Sequence, residues 1–192
     1  MNSLLYVLLG AALVLALNVL RGRYASFVAQ RPSDYVNGTE MFDLRQHMNG
    51  PIACEGVIYG PFGRVSSRFV GAFECSWVGN QGVMSEEFRY DDGSVQNRRW
   101  TLKIDEHGAI KATAPEVVGE GEGHQVGSSV QLKYRLRLPE SAGGHVLNTV
   151  DWMYLAPNGS IVNRSQFRKF GIQVAELVAT MRPAHVELKD VA

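Results

Sequence analysis

Residues 130–138 read Val-Gln-Leu-Lys-Tyr-Arg-Leu-Arg-Leu, so that every second side chain is apolar and every intervening one is polar. A period of two puts the two sets on opposite faces of an extended strand. A strand with one dry face and one wet face belongs in an antiparallel sheet. This alternation recurs after Pro51, and no other feature constrains the fold as strongly. Residues 52–59 form one such run. Val65, Phe69, Phe73, Cys75 and Trp77 face one way in the next, with Ser66, Arg68 and Glu74 opposite. Met84, Glu86, Phe88 and Tyr90 share a face, as do Trp100, Leu102 and Ile104. Segments 109–114, 146–155, 160–168 and 171–181 complete the series. The connections are short and rich in turn formers: Gly60-Pro61, Gly79-Asn80-Gln81-Gly82, Asp91-Asp92-Gly93-Ser94, His107-Gly108 and Asn158-Gly159. About nine or ten strands joined this way leave no room for crossover helices, so parallel βαβ folds are excluded. The expected fold is mainly β, an up-and-down antiparallel barrel of the calycin or lipocalin-like kind. Closure removes the exposed strand edges and leaves an interior able to hold one small ligand. The stretch 115–127 is Gly-rich and acidic, and Gly119-Glu120-Gly121-Glu122-Gly123 within it is expected to be a flexible edge strand or lid.

The start of the chain is different. Residues 4–20 read LLYVLLGAALVLALNVL, with Asn18 the one polar member, and no charged side chain precedes Arg21. As a helix this run is about 25 Å long, the short end of what crosses a bilayer. Arg21 and Arg23 follow as interfacial anchors would. An uncleaved membrane anchor is the first reading. A secretory signal is the second, although no basic side chain precedes the apolar run and residues 17–20 make a poor cleavage site. A buried soluble helix is the third, against which stands the lack of an amphipathic face. The domains follow: 1–23 anchor or signal segment, 24–50 linker and short helix, 51–182 barrel, and 183–192 C-terminal tail. Within the linker, 41–48 carries a turn or two of amphipathic helix.

Lys plus Arg and Asp plus Glu are both 19, for a net charge of zero over 192 residues. That balance argues against nucleic acid as a partner. The five histidines are scattered, and no His-x-His, His-Glu-x-x-His or Cys-x-x-Cys occurs, so no metal site and no cofactor is expected. Gly119-Glu120-Gly121-Glu122-Gly123 lacks the Lys-Ser/Thr ending of a phosphate loop, and no Gly-x-Ser-x-Gly elbow is present. Cys54 and Cys75 could pair in an oxidising compartment or remain buried thiols.

What carries chemistry is a set of polar residues on or beside apolar strands. Glu86 lies among Met84 and Phe88, Asp151 beside Trp152, Arg98-Arg99 before Trp100, Asn163-Arg164 after Ile161-Val162, and Lys169 before Phe170. Buried charges must be paired or hydrogen-bonded. Glu86, Arg99, Asp151, Arg164 and Lys169 are therefore expected to form a polar network in or across one barrel end. Such a network either closes the barrel, faces solvent, or binds the head of an amphipathic ligand.

The ordered set Trp77 to Trp100 (WVGNQG…SEEFRYDDG…RRW) and Asp151 to Gly171 (DWMYL…NRS…KFG), with Phe42 and Asn49-Gly50-Pro51 upstream, resembles the bacterial family known as domain of unknown function 3833. The resemblance spans about residues 34–181. It implies a lipocalin-like barrel in a bacterial cell envelope. Many members carry a lipoprotein signal whose Cys this chain lacks, and here the apolar helix would replace it. The resemblance implies a periplasmic barrel, whereas Arg21 and Arg23 favour the cytoplasmic side. It supplies no catalytic residues.

The candidate ligand-binding residues are Glu86, Arg99, Trp100, Asp151, Trp152, Arg164 and Lys169. The expected function is a membrane-tethered module for an apolar or amphipathic molecule such as a lipid or fatty-acid derivative, its acidic head meeting Arg164 or Lys169. The alternatives are a filled structural or regulatory barrel and, third, an enzyme using Glu86 or Asp151 as general acid/base.

Overall fold

The computed structural model describes residues 2–38 and 40–184, without the side chains of Asn2 and Ser141. Most of the expected tail, 185–192, lies outside the described residues. Ten strands follow one another: β1 (Gly50–Tyr59), β2 (Val65–Val78), β3 (Gln81–Tyr90), β4 (Val95–Ile104), β5 (Ala109–Thr113), β6 (Gly121–Val126), β7 (Ser129–Arg137), β8 (Val146–Leu155), β9 (Ile161–Lys169) and β10 (Ile172–Pro183). Each pairs antiparallel with its neighbours in sequence, and β1 pairs with β10 to close the barrel, Ile52 opposite Pro183 and Tyr59 opposite Glu176. The expected closed up-and-down barrel is the observed one.

One strand corrects the sequence reading. The acidic Gly-rich stretch contains β6, which is neither edge nor lid but is paired with β5 and β7 on its two sides. A Cβ at Gly123 would overlap the carbonyl oxygen of Gln131 across the ladder. Glycine here allows close backbone approach, and its lack of a side chain hides the period-two signal.

Alternation fills the interior. Phe69, Phe73, Phe88, Trp100, Leu102, Leu132, Tyr134 and Met181 are buried in one core. Gly56 of β1 makes room for it, since a Cβ there would sit 2.7 Å from the Phe69 ring. One barrel end is plugged. Helix α2 (Leu44–His47) is capped by Asp43, whose carboxylate accepts from the Arg45 N–H at 2.9 Å. It presents Phe42, Leu44 and Met48 to the core, all nearly inaccessible. Trp77 Nε1 donates to the Met48 carbonyl at 2.7 Å and ties the plug to β2. The opposite end consists of the turns β1–β2, β3–β4, β5–β6, β7–β8 and β9–β10.

Helix α1 (Asn2–Tyr24) carries the apolar run, and Ser3–Tyr24 is long and apolar enough to cross a membrane. Its described side chains are exposed. Asn18 Nδ2 donates to the Val14 carbonyl at 2.9 Å, so the polar side chain of the run is satisfied within the helix. Two 3-10 turns, Phe27–Ala29 and Pro32–Tyr35, then lie on the outer wall. Tyr35 packs on Trp152 at 5.2 Å and on Tyr154 at 5.4 Å between ring centroids. Gln30 Oε1 accepts from the hydroxyls of Tyr154 and Tyr35. Cys54 and Cys75 are buried free thiols, and burial pushes each up to about 12.

Candidate functional site

Strand pleating decides which charges enter the barrel. On β3, Met84, Glu86 and Phe88 share the inner face. On β4, Trp100, Leu102 and Ile104 point inward, and the same parity brings in Arg98. On β8 the inner residues are Thr149, Asp151 and Met153. On β9 they are Asn163, Ser165 and Phe167. Glu86, Arg98, Trp100, Tyr134, Asp151, Asn163 and Ser165 all line one internal cavity.

Their hydrogen bonds leave specific atoms free. Asp151 Oδ1 accepts from Ser165 Oγ at 2.8 Å and from Asn163 Nδ2 at 2.5 Å. Asn163 Nδ2 also donates to the Trp152 carbonyl at 3.0 Å, which fixes the amide. Both donors use the same carboxylate oxygen, so Asp151 Oδ2 has no protein donor among the described residues. Glu86 Oε2 accepts from Trp100 Nε1 at 3.3 Å and lies 4.0 Å from an Arg98 nitrogen. Glu86 Oε1 has no protein donor among the described residues. Arg98 Nε is buried with no acceptor among the described residues, and its guanidinium sits 5.7 Å over the Phe88 ring. The Tyr134 hydroxyl makes no hydrogen bond among the described residues, while its ring meets Trp100 edge-on at 5.1 Å.

The interior weakens charge. Burial pushes the Glu86 carboxyl up to about 7. Arg98 and the Trp100 N–H oppose that rise, and Asp151 and Glu116 add to it. Burial also raises Asp151, against the hydrogen bonds from Ser165 and Asn163 and the charge of Arg98. Tyr134 is raised by burial and by Asp151. Burial opposes the charge on Arg98, but Glu86, Tyr134, Glu116 and Tyr90 outweigh it and keep the guanidinium protonated. Glu86 therefore titrates near neutrality beside a fixed cation.

The cavity is about 80 Å³. That exceeds the roughly 15 Å³ needed for a water, and falls short of the roughly 150 Å³ of a protein cavity that takes benzene. Its walls can yield, since Met48, Met84, Met153 and Met181 all line it. Unbranched methionine is the most adaptable apolar side chain. A second void of about 20 Å³ adjoins it behind Met48, Met84 and Met153.

The structure brings together three of the candidates named from sequence: Glu86, Trp100 and Asp151. The other four lie elsewhere, which corrects the expected network. Arg99 is one residue out of phase with Trp100 and points to solvent, and Arg98 takes its place inside. Arg164 is on the outer wall, paired with Glu176 at 3.0 Å and stacked on Phe27 at 4.6 Å. Trp152 also faces outward, fully buried under Tyr35. Its indole N–H has no acceptor among the described residues. Lys169 sits at the end of β9, with Nζ 2.8 Å from His145 Nδ1. Sequence reasoning missed Arg98, Tyr134, Asn163 and Ser165 as site residues. For Arg98 and Tyr134 the signal was present, as parity with Trp100 and with Leu132.

A closed antiparallel up-and-down barrel with polar groups converging on an aromatic interior is a lipocalin-like fold. The chain belongs to the family described as protein of unknown function (DUF3833), whose profile matches residues 23–183. No curated protein sequence matches it. Among solved structures it is similar to the S-type phycobiliprotein lyase CPES from Guillardia theta, with a TM-score of 0.55 and 10% identity over 75% of this chain and 92% of that one. It is also similar to Rv2717c from M. tuberculosis, with a TM-score of 0.52 and 14% identity over 72% and 94% of the two chains. At these identities the likeness concerns the fold alone.

Proposed function

We propose that the protein is a membrane-tethered binding module whose barrel takes an amphipathic small molecule with its polar group inside, at Glu86 and Asp151. One observation carries this reading. Among the described residues, Glu86 and Asp151 each keep one carboxylate oxygen without a protein donor, and the buried Arg98 Nε is without an acceptor, within walls of aromatic and methionine side chains. Buried polar groups that the protein leaves unpaired call for an outside partner. The partner's chemistry differs from the acidic head expected from sequence. In their ionised forms Glu86 Oε1 and Asp151 Oδ2 accept hydrogen bonds, so the complementary group is an N–H or O–H donor or a cation. A single acceptor on the same ligand would satisfy Arg98 Nε. The apolar remainder would displace the methionines and enlarge the cavity. Helix α1 would hold the barrel at the bilayer, where such molecules partition.

The small cavity favours a second reading, a filled barrel whose polar cluster is bridged by water and serves only to hold the strands. Both are tested by purifying the full chain in mild detergent, extracting it with organic solvent, and identifying what is released by mass spectrometry. A donor-bearing amphipath at near-stoichiometric yield, reproduced between preparations, is the expected result. Extracts indistinguishable from a detergent-matched control protein would leave the filled barrel.

A further inference from the structure

Outside α1, the two most exposed large apolar side chains among the described residues are Phe62, 91% accessible, and Phe170, 90% accessible. They occupy neighbouring tips. Phe62 lies in the β1–β2 turn and Phe170 in the β9–β10 turn, and β1 pairs with both β2 and β10 at Tyr59, which is opposite Val65 and Glu176. Ile172 and Val65, 69% and 52% exposed, flank them. Phe170 has φ 51° and Gly171 φ 79°, so an aromatic residue stands in a left-handed turn position that ordinarily takes Asn or Gly. Solvent exposure and backbone preference both disfavour phenylalanine there.

The charge on the two tips themselves has one sign. The two turns carry Arg64, Arg168 and Lys169 and no carboxylate. None of these three is in an ion pair among the described residues: Arg168 donates to the Gly171 carbonyl and Gln166, and Lys169 meets His145. Apart from Glu140 of the β7–β8 connection, the acidic groups beside the tips are engaged elsewhere. Glu176 is held by Arg164 and Gln166. Asp91 of the adjacent β3–β4 turn is held by Arg68, and Asp92 by Ser94. Exposed aromatics ringed by unpaired basic side chains match an anionic bilayer surface, where the rings sink among the headgroups and the cations meet lipid phosphates. The linker agrees with this orientation. Phe27 lies against Arg164 within β9, and the chain then runs along β8 to Gly38, packed on Ser128 at the plugged end. The tips carrying Phe62 and Phe170 are at the opposite end.

We propose that the tips of the β1–β2 and β9–β10 turns dock onto a bilayer containing anionic lipid, through Phe62 and Phe170 with Arg64, Arg168 and Lys169. Docking there seats the barrel end opposite the plug against the membrane. It does not require that the interior hold a ligand, and its test uses none.

The full chain is reconstituted in phosphatidylcholine vesicles with and without phosphatidylglycerol. An environment-sensitive maleimide dye is placed at Phe62→Cys, at Phe170→Cys, and at Glu106→Cys in the β4–β5 turn of the plugged end. Cys54 and Cys75 are buried thiols that stay unlabelled. The expected result is a blue-shifted dye at 62 and 170, quenched by brominated lipid, while the dye at 106 is quenched only by aqueous iodide. Removing phosphatidylglycerol, or substituting Ser for the three basic residues, lowers the docked-to-free ratio about fivefold per basic residue. Dyes at 62 and 170 that behave like the dye at 106 would overturn the proposal. So would shielding of those dyes in detergent that grows with protein concentration, since the tips would then bind a second copy. Penetration equal in neutral and anionic vesicles would overturn the role of the basic residues.

Discussion

Asp151 and Trp152 are consecutive residues on opposite sides of one barrel wall. Inside, Asp151 is held by two donors on one oxygen, has no protein donor on the other among the described residues, and lines a cavity shared with Glu86 and Arg98. Outside, Trp152 is sealed under Tyr35, and directly opposite it on β9 Arg164 forms a partly exposed pair with Glu176. The inner wall keeps few charges and leaves them under-satisfied. The outer wall has more charges, and its pairs have closed on themselves. Charged groups with unspent hydrogen-bonding capacity are therefore the ground for proposing the site on the inner wall, since an open donor on the outer side, the Trp152 indole N–H, is neutral. Counting charged residues along a strand does not reveal this, because a single step along the chain changes the side.

Substitutions that separate the two walls differ widely in expected effect. Trp152→Ala removes a fully buried indole that clamps the linker, and a cost of about 3–5 kcal/mol is expected, read as a lowered denaturation midpoint of the full chain in detergent. An outer wall that served only solvent would show almost no change.

Glu86→Gln acts with the opposite sign. The folded carboxyl titrates near 7 and an exposed one near 4.5, so the folded state holds the extra proton between those values. Its stabilising contribution is complete below about pH 4.5 and is lost as the pH rises through 7. Glu86→Gln should raise stability at pH 8 by about 3 kcal/mol at most and change little at pH 4.5. Thermal melts of parent and variant across that range check it. The carboxylates held low by partners, Glu55 and Asp43 among them, lose their contribution only at more acidic pH. A parent-minus-variant curve flat from pH 4.5 to 8 would show Glu86 to be solvated.

The pleat explains how far the sequence could be read. Alternation on 130–138 and its repeats shows the strands, and short turns leave closure as the way to bury them. The signal fails at β6, where glycine has no side chain to alternate, and at 24–43, which packs on the wall without regular period. That second gap hides the cover over Trp152, so an outward tryptophan reads as core. At the site, Glu86 and Asp151 stand out as charges on apolar faces. The pair Arg98-Arg99 offers two choices, and parity with Trp100 selects Arg98. Asn163-Arg164 offers the same choice, and there the neutral residue is the one inside. Tyr134 is hidden by its own ring, since a tyrosine on an apolar face reads as packing.

Arg164→Ala gives the smallest effect. Its pair with Glu176 is partly exposed, 44% and 15% by side chain, so a loss under about 1 kcal/mol is expected in denaturant titrations. A loss several times larger would mean that the outer pair, not the inner cluster, organises this wall.

The most direct test of the inner wall is the mass of the protein as it leaves its detergent micelle intact. Native mass spectrometry of the parent and of the Arg99→Ala/Arg164→Ala variant should show one bound small molecule. In Glu86→Gln/Asp151→Asn that adduct should be absent or much reduced. An adduct that survives the inner substitutions and is lost with the outer ones, or no adduct in any of the three, would contradict a ligand site at Glu86 and Asp151.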